Sequence, residues 1–255
     1  MPDPRRRRLE NRDVVHVYEG KTATRALDGV SLDVHENEFL AIVGPVGSGK
    51  TTLVRIVAGF LTPSRGMVRW DGAPVIGPSP ERGYVFQEEA IFPWMTVRDN
   101  LQFGLLAHGV EAPEREKIVA ELVTLIGLEG YERAYPKELS GGMSKMVEVA
   151  RVLATDPAIL LLDEPFGLLD AQTRSKMQDQ LSRLWEEKRK TVILVTHDVE
   201  EAIYLADRVV VFTPRPGRVQ AEVGVDLPRP RSLETRFSPA FLELKRSIWK
   251  EIGRA

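Results

Sequence analysis

The sequence predicts an α/β protein with a parallel core sheet, a flanking antiparallel β layer and an inserted α-helical subdomain. The first observation is an alternation of short apolar runs with helical patterns, typical of parallel strands joined by helices. The core runs are Phe39–Val43, Ala158–Leu162, Thr191–Val195 and Arg208–Phe212. The second observation is a set of short β-rich segments before residue 71, joined by polar turns. The third is a helical pattern from about residue 91 to residue 137.

The remaining elements follow in chain order. The antiparallel layer is predicted to contain Val14–Tyr18, Gly29–Val34 and Met67–Trp70. In the helical insert, one stripe is formed by Ile118, Leu122, Leu125 and Ile126, and Pro136 closes the pattern. After residue 219 we expect short strands and then an amphipathic helix that begins at Pro239.

Length and composition limit the class of protein. With 255 residues, 43% of them hydrophobic, the chain can bury a sizeable core. The net charge of −2 gives no indication of a nucleic-acid partner. The sequence has no cysteine, no apolar stretch of bilayer length and no signal peptide at its start, so we expect a protein that stays in the cytosol. The basic run Arg5–Arg8 is interpreted as part of a solvated, disordered tail, with weak attraction to anionic lipid as the alternative.

A phosphate-binding loop is predicted between the first core strand and the helical pattern that follows it. The sequence there satisfies G-x-x-x-x-G-K-[ST], and the residues expected to surround a nucleotide are Gly44, Pro45, Val46, Gly47, Ser48, Gly49, Lys50, Thr51 and Thr52. Bare glycine backbone lets successive amide groups surround phosphates, and the helix start adds partial positive charge. Lys50 would reach the β- and γ-phosphates and Thr51 would bind Mg²⁺. The alternative is a glycine-rich turn with a coincidental lysine.

Two acids follow the apolar run Ala158–Leu162, which is typical of a parallel strand buried on both faces. Asp163 at the carboxyl end of such a strand can hold Mg²⁺, usually through water, and Glu164 can polarise the water that attacks the γ-phosphorus. The alternative is a pair of solvated acids before Pro165.

A second helix start with an open N-terminus is predicted after Leu139. Ser140 is a natural N-cap, and Gly141 and Gly142 leave the helix N-terminus accessible to an anion. The helix itself is indicated by apolar residues at helical spacing, which are Val147, Ala150, Leu153 and Ala154.

Together these motifs resemble those of the ABC ATPases, a family of P-loop NTPases whose LSGGQ signature corresponds here to Leu139–Met143. The resemblance covers roughly residues 14 to 230 and identifies four further positions. It implies that Tyr18 stacks on adenine, that Gln87 senses Mg²⁺ and water, that Asp170 belongs to the loop after the second acid, and that His197 contacts the γ-phosphate. Taken alone, Tyr18 could be a strand aromatic, Gln87 a cap of the strand at 83–86, Asp170 the N-cap of a helix beginning at residue 171, and His197 a strand end.

The resemblance also implies an assembly. In this family the signature of one subunit closes over the γ-phosphate on the phosphate loop of another, so two ATP molecules and Mg²⁺ would lie in a head-to-tail homodimer. The expected domain organisation is a disordered basic tail over 1–12, an ATPase domain over 13–230 and a helical tail over 231–255. A helical subdomain is expected to be inserted into the ATPase domain at about 91–145.

Two sequence segments resemble the corresponding segments of the nitrate, sulfonate and taurine importer ATPases. One runs from Gln87 to Asn100 and contains Phe92-Pro93-Trp94, and the other runs from Thr213 to Arg231. The resemblance implies a two-copy permease, a periplasmic or lipid-anchored substrate-binding protein, and a position on the cytoplasmic face of the inner membrane, peripheral through the permease. Phe92 and Trp94 are interpreted either as anchors in a permease groove or as core of the helical insert.

Some residues depart from the family pattern. Lys145 and Met146 stand where Gln-Arg is usual, so a charged hydrogen-bonding pair has become partly apolar. Further departures are Val46 for a serine, Asn37 for a turn glycine and Leu168 for a small residue. They put turnover rate and dimer geometry in doubt. The sequence of the ATPase does not specify the transported solute. The alternative functions are a soluble non-transport ABC ATPase and a P-loop kinase of metabolites.

Overall fold

The computed structural model describes residues 6–20 and 22–254, which form two β-sheets and seven α-helices. The strands are β1 (Arg7–Tyr18), β2 (Thr24–His35), β3 (Phe39–Val43), β4 (Arg65–Trp70), β5 (Ala73–Pro74), β6 (Arg82–Val85), β7 (Ile159–Asp163), β8 (Thr191–Val195), β9 (Arg208–Phe212) and β10 (Val219–Gly224). The helices are α1 (Lys50–Ala58), α2 (Val97–Ala107), α3 (Ala112–Leu125), α4 (Gly141–Ala154), α5 (Ala171–Lys188), α6 (Val199–Leu205) and α7 (Pro239–Ile252). Short 3₁₀ turns occur at Pro136–Glu138 and Leu233–Phe237.

The core sheet has the strand order β10-β9-β3-β8-β7-β6. Its strands from β9 to β6 are parallel, and β10 pairs antiparallel with β9 at one edge. Every residue of β3, β7 and β8 is buried, as expected for parallel strands covered on both faces. The strand β3 leads directly into the phosphate loop and then α1, so the predicted strand-loop-helix unit is present.

The flanking sheet is antiparallel with the order β2-β1-β4-β5. It covers one face of the core sheet together with α1, while α2 to α7 contribute to the apolar core on the other face. Asn37, in the turn between β2 and β3, has a φ of 59°, so it adopts the left-handed conformation that Asn tolerates where the family has glycine.

The prediction of a disordered tail over 1–12 is wrong for Arg7–Arg12, which are part of β1. Leu9 and Asn11 are fully buried because β1 pairs with β2 on one side and β4 on the other. The Arg8 guanidinium lies 4.9 Å from the centre of the Trp70 ring, so this basic residue is part of the fold. Arg6 precedes the strand and donates to Asp71 at 3.2 Å, and residues 1–5 of the predicted tail lie outside the described residues.

The helical insert does not form a core of its own. Leu101 on α2 and Leu122 on α3 pack in the same apolar cluster as β7 and α4. The helix predicted from Pro239 is α7, which buries Phe241 and Ile248. Across the described ranges 6–20 and 22–254, no helix combines the length and the apolar character needed to cross a membrane.

Candidate functional site

A cavity of about 600 Å³ lies over the phosphate loop at the carboxyl ends of the core strands. Eleven of the residues proposed from the sequence line it: Tyr18, Val46, Gly47, Ser48, Gly49, Lys50, Thr51, Thr52, Gln87, Glu164 and His197. Thr24, Ala26 and Arg215 complete the lining. The cavity therefore brings together residues that are nearly 200 positions apart in the chain.

The phosphate loop is held against the flanking sheet by close packing of its glycines. Gly49 has a φ of 88° and caps α1, and a Cβ there would lie 2.6 Å from the Ala26 carbonyl oxygen. The Lys50 ammonium donates to the carbonyl oxygens of Gly44 and Pro45 at 2.9 and 3.0 Å. Burial lowers the pKa of Lys50, while the charges of Glu164 and Asp163 oppose that shift. A buried ammonium beside a helix N-terminus is the chemistry that suits a loop to an anion.

Asp163 lies beneath the cavity, at the end of β7, and both of its carboxylate oxygens are bonded. Oδ1 accepts from the Thr51 hydroxyl and Oδ2 from the Tyr84 hydroxyl, each at 2.7 Å. Burial and the neighbouring Asp163 charge raise the pKa of Tyr84, so its hydroxyl stays protonated and donates. The arrangement fixes a carboxylate next to the first hydroxyl of α1.

Glu164 is turned into the cavity by an unusual backbone conformation. Its φ is 45°, rare for a residue with a side chain, and such strain is concentrated at functional sites. Glu164 Oε2 accepts from Gln87 Nε2 at 3.3 Å and lies 3.2 Å from His197 Nδ1. The side chains of Glu164 and His197 are 17% and 50% exposed, so the carboxylate is partly covered while the imidazole faces the open cavity.

Tyr18 and Asp170 occupy different places. The Tyr18 side chain lines the cavity, and its hydroxyl lies 3.1 Å from the Thr52 hydroxyl. Asp170 caps α5 by accepting from the backbone N–H groups of Gln172 and Thr173 at 3.1 and 3.0 Å. Hydrogen bonds from Thr173 and from Gln172 lower the pKa of Asp170, which keeps it ionised. Asp170 does not line the cavity.

The signature segment lies outside the cavity lining. Ser140 caps α4, since its hydroxyl accepts from the Met143 N–H at 3.3 Å. A Cβ on Gly142 would lie 2.6 Å from the Thr173 methyl group, so the start of α4 packs against the start of α5. Neither Ser140 nor Gly141 nor Gly142 contributes to the lining formed within one subunit.

Four residues at the site escaped sequence reasoning: Thr24 and Ala26, which line the cavity, and Tyr84 and Arg215. Tyr84 lies in the middle of a strand that reads as apolar, and only the pairing of β6 with β7 places its hydroxyl on Asp163. Arg215 lies in the segment between β9 and β10, and its Nε donates to the Gly47 carbonyl oxygen at 3.1 Å. The basic residues after β9 could have drawn attention to Arg215. The contact of Arg215 with the phosphate loop, however, does not follow from the spacing of residues in the sequence.

The departures from the family pattern have different outcomes. Val46 is 91% exposed in the cavity and Leu168 is 79% exposed, so neither residue is required by the core. Met146 is fully buried and joins the apolar cluster. Lys145 forms an ion pair with Glu148 at 2.8 Å.

An aromatic group lies beyond Gln87. The rings of Phe92 and Trp94 stack at 5.5 Å, and Phe103 on α2 lies 4.7 Å from Phe92. Phe92 is half-buried, whereas Trp94 is 70% exposed. The core interpretation is therefore wrong for Trp94, which projects from the surface.

Comparisons with known proteins agree with this geometry. The family model for ABC transporters matches residues 27–167. The aliphatic sulfonates import ATP-binding protein of Bacillus licheniformis is 46% identical over 91% of this chain and 89% of its own length. The nitrate import ATP-binding protein of Synechocystis sp. is 41% identical over 94% and 93%. A solved dimeric ATP-binding cassette in a post-hydrolysis state, bound to ADP and Pi, superposes with a TM-score of 0.74 at 31% identity, over 86% of this chain and all of that one.

Proposed function

The chain belongs to the ABC transporter family of ATPases, and on that premise we propose that it is the motor subunit of an importer for a small anion or organic solute of the nitrate, sulfonate or taurine type. The observation that supports the motor chemistry best is the meeting of Gln87, Glu164 and His197 above the phosphate loop. The relatives named for nitrate and sulfonate import support the class of solute.

In the proposed site the phosphate loop and the N-terminus of α1 bind the phosphates of ATP. Lys50 moves from the loop carbonyls to the β- and γ-phosphates, because an anion satisfies a desolvated ammonium better than neutral carbonyl oxygens do. Tyr18 covers the adenine from the side of β1, where its half-exposed ring lines the cavity.

Glu164 is the proposed general base. A carboxylate can accept the proton of the attacking water, and the contacts of Gln87 and His197 with Oε2 of Glu164 hold this carboxylate so that the water is oriented toward the γ-phosphorus. His197, whose side chain is 50% exposed, contacts the γ-phosphate.

Thr51 on α1 and Asp163 at the end of β7 fit a magnesium ion. Thr51 Oγ1 and Asp163 Oδ1 are hard oxygen ligands 2.7 Å apart, and Mg²⁺ is usually held by one or two such groups together with phosphates and water. Gln87 is the third proposed contact, and bound Mg²⁺ would neutralise charge on the β- and γ-phosphates.

We further propose a head-to-tail homodimer, in which Ser140, Gly141 and Gly142 of one subunit complete the ATP site of the other and Asp170 lies at the contact. The dimeric cassette that superposes on this chain supports such an assembly. The open helix start at Ser140 lies outside the cavity of its own subunit, which leaves it available to a partner.

The proposed partners are a two-copy permease and a periplasmic or lipid-anchored substrate-binding protein, with the ATPase on the cytoplasmic face of the inner membrane. The aromatic group of Phe92, Trp94 and Phe103, in which Trp94 is 70% exposed, is the proposed contact with the permease. A soluble non-transport ABC ATPase and a kinase are the alternatives, and both lack support from the named relatives.

Transport by the reconstituted complex tests the proposal. The subunit, its permease and the matching binding protein are placed in ATP-loaded liposomes, and uptake of nitrate, taurine and ethanesulfonate is measured. We expect uptake of one of these solutes, abolished by Lys50→Ala. An intact complex that hydrolyses ATP but takes up none of them would refute the solute class. Phosphate transfer to a small acceptor would instead favour the kinase.

A further inference from the structure

One face of α4 is bonded to the backbone of the segment that carries Gln87. The Lys145 ammonium donates to the Phe86 carbonyl oxygen at 3.0 Å and, at a longer 3.5 Å, to that of Glu88. Glu148 Oε1 accepts from the Phe86 N–H at 3.2 Å. Both bonded residues are the direct neighbours of Gln87, so α4 holds the chain immediately before and after it.

A third residue on the same face extends this contact. Arg151 donates to the Ala90 carbonyl oxygen at 2.8 Å, and its guanidinium lies 4.6 Å from the centre of the Phe92 ring. Lys145, Glu148 and Arg151 are spaced three residues apart, which places them on one side of a helix. Burial lowers the pKa of Arg151, a sign that this guanidinium is enclosed by protein.

The charged pair at the centre of this contact is enclosed. The Lys145 and Glu148 side chains are 8% and 1% exposed, and they bond to each other at 2.8 Å. A buried ion pair is tolerated only when its remaining hydrogen-bonding groups are satisfied. Here the Phe86 and Glu88 backbone supplies those partners, so the pair and the backbone of this segment fix each other.

We propose that Lys145 and Glu148 are positioning residues that set the place of Gln87 against Glu164 and join it rigidly to the signature at the start of α4. Ser140 and Lys145 are five residues apart, roughly 7.5 Å along the helix axis. If a partner's nucleotide displaced the signature, α4 would therefore transmit that displacement to Gln87. The inference rests on the proposed function of Gln87, Glu164 and Ser140.

The test separates positioning from nucleotide binding. Lys145→Met removes the donor, and we expect kcat for ATP hydrolysis to fall about 10-fold or more, since small misplacements near a reacting centre have effects of this size. The dissociation constant for ATP should stay within about twofold, because Lys145 does not line the cavity. Lys145→Gln keeps a donor group and should recover most of the lost kcat.

Lys145→Met leaves Glu148 buried without its cation, so a second variant protects the test against misfolding. Lys145→Met with Glu148→Met replaces the pair by apolar groups of similar size, a change that folds well in other buried pairs. We expect the same loss of kcat with a melting temperature near that of the unaltered chain.

The matched control is Lys190→Met, which removes a lysine paired with Asp156 at 2.7 Å, just before β8 and thus at the opposite end of the core sheet. We expect its kcat to equal that of the unaltered protein. Equal kcat for the double Met variant and Lys190→Met would overturn the positioning role, as would a parallel loss of ATP affinity. Inactivity of the unaltered protein would overturn the proposed function and the inference with it, whereas an active unaltered protein with an active double variant would overturn the inference alone.

Discussion

Asp163 and Glu164 are adjacent residues with opposite surroundings. Asp163 is the last residue of β7 and is 1% exposed, held between the Thr51 and Tyr84 hydroxyls. Glu164 leaves the strand with a positive φ, which directs its carboxylate into the cavity. The strand end thus separates a fixed carboxylate, suited to a metal ion, from one suited to proton transfer.

Replacing Glu164 by Gln tests the general base. The amide keeps the size of the carboxylate and one acceptor oxygen but cannot accept the proton of water, so ATP binding should persist while hydrolysis falls roughly 10²-fold or more. Phosphate release gives the rate, and size-exclusion chromatography with Mg·ATP should reveal a trapped dimer. Normal turnover, or a variant that stays monomeric with ATP, would refute this role.

At the scale of elements, the site is assembled by the carboxyl ends of neighbouring parallel strands. The loops after β3, β6, β7 and β8 supply the phosphate loop, Gln87, Glu164 and His197 in turn. The strand β3 lies between β9 and β8, so later strands of the chain lie on both sides of it. The phosphate loop is thus at a point where the strand order reverses, and α/β sheets bind ligands at such points.

The helix α4 belongs to a different surface, and Ser140→Arg tests whether it serves a second subunit. An arginine there should block the entry of a partner's γ-phosphate, so hydrolysis should be lost while ATP still binds the monomer. Mixing Ser140→Arg with Lys50→Ala subunits leaves one interface site intact, and we expect activity above that of either variant alone. If the mixtures never exceed the separate variants, shared sites are not formed.

Trp94→Ala tests the permease contact. Because Trp94 is 70% exposed, its removal should shift the melting temperature by only a few degrees and leave basal hydrolysis nearly unchanged, while transport by the assembled complex is lost. The control is Trp185→Ala: this indole is 2% exposed and its removal should lower the free energy of unfolding by about 3–5 kcal/mol. A Trp94→Ala protein that melts as early as the control would mean that Trp94 stabilises the isolated subunit, and would refute a role confined to the permease contact.

At the scale of the whole molecule, the apolar core contains one acid whose neutral form is favoured. Burial, the largest effect, raises the pKa of Glu201 from 4.5 to about 8, against the opposing hydrogen bond from Thr196. Its Oε2 lies 2.7 Å from the Thr196 hydroxyl, and its Oε1 is buried without a partner among the described residues. The folded protein therefore holds a proton that the unfolded chain releases.

This raised pKa predicts the pH dependence of stability. Below pH 4.5 Glu201 is protonated in both states, and between pH 4.5 and 8 only the unfolded chain ionises, so its contribution to stability is lost as the pH rises through that window. Glu201→Gln should flatten the decline of the unfolding free energy measured by denaturant titration from pH 5 to 8. The control is Glu200→Gln on the surface of α6, whose profile should follow the unaltered protein. Parallel profiles for Glu201→Gln and the unaltered protein would refute this source of pH dependence.

The sequence by itself determined the features that depend on neighbouring residues. The bounds of β3, β8, β9 and the start of α7 follow from hydrophobic pattern and capping chemistry. The phosphate loop was also predictable from local sequence, because its glycines, its lysine and the helix after it lie within one short segment. The prediction of a disordered tail was wrong at Arg7–Arg12. The charged residues there favoured a tail, but pairing with β2 and β4 makes this segment a strand.

Only the tertiary structure decided which distant residues meet. Tyr84 reaches Asp163 and Arg215 reaches Gly47 through strand order and loop packing, which no local spacing encodes. Lys145 reads as a departure from a family pattern, yet folding places it on the backbone beside Gln87. The physical reason is that motif chemistry is set by bonded neighbours, whereas a contact across the molecule depends on how two sheets and a helical insert pack around shared apolar cores.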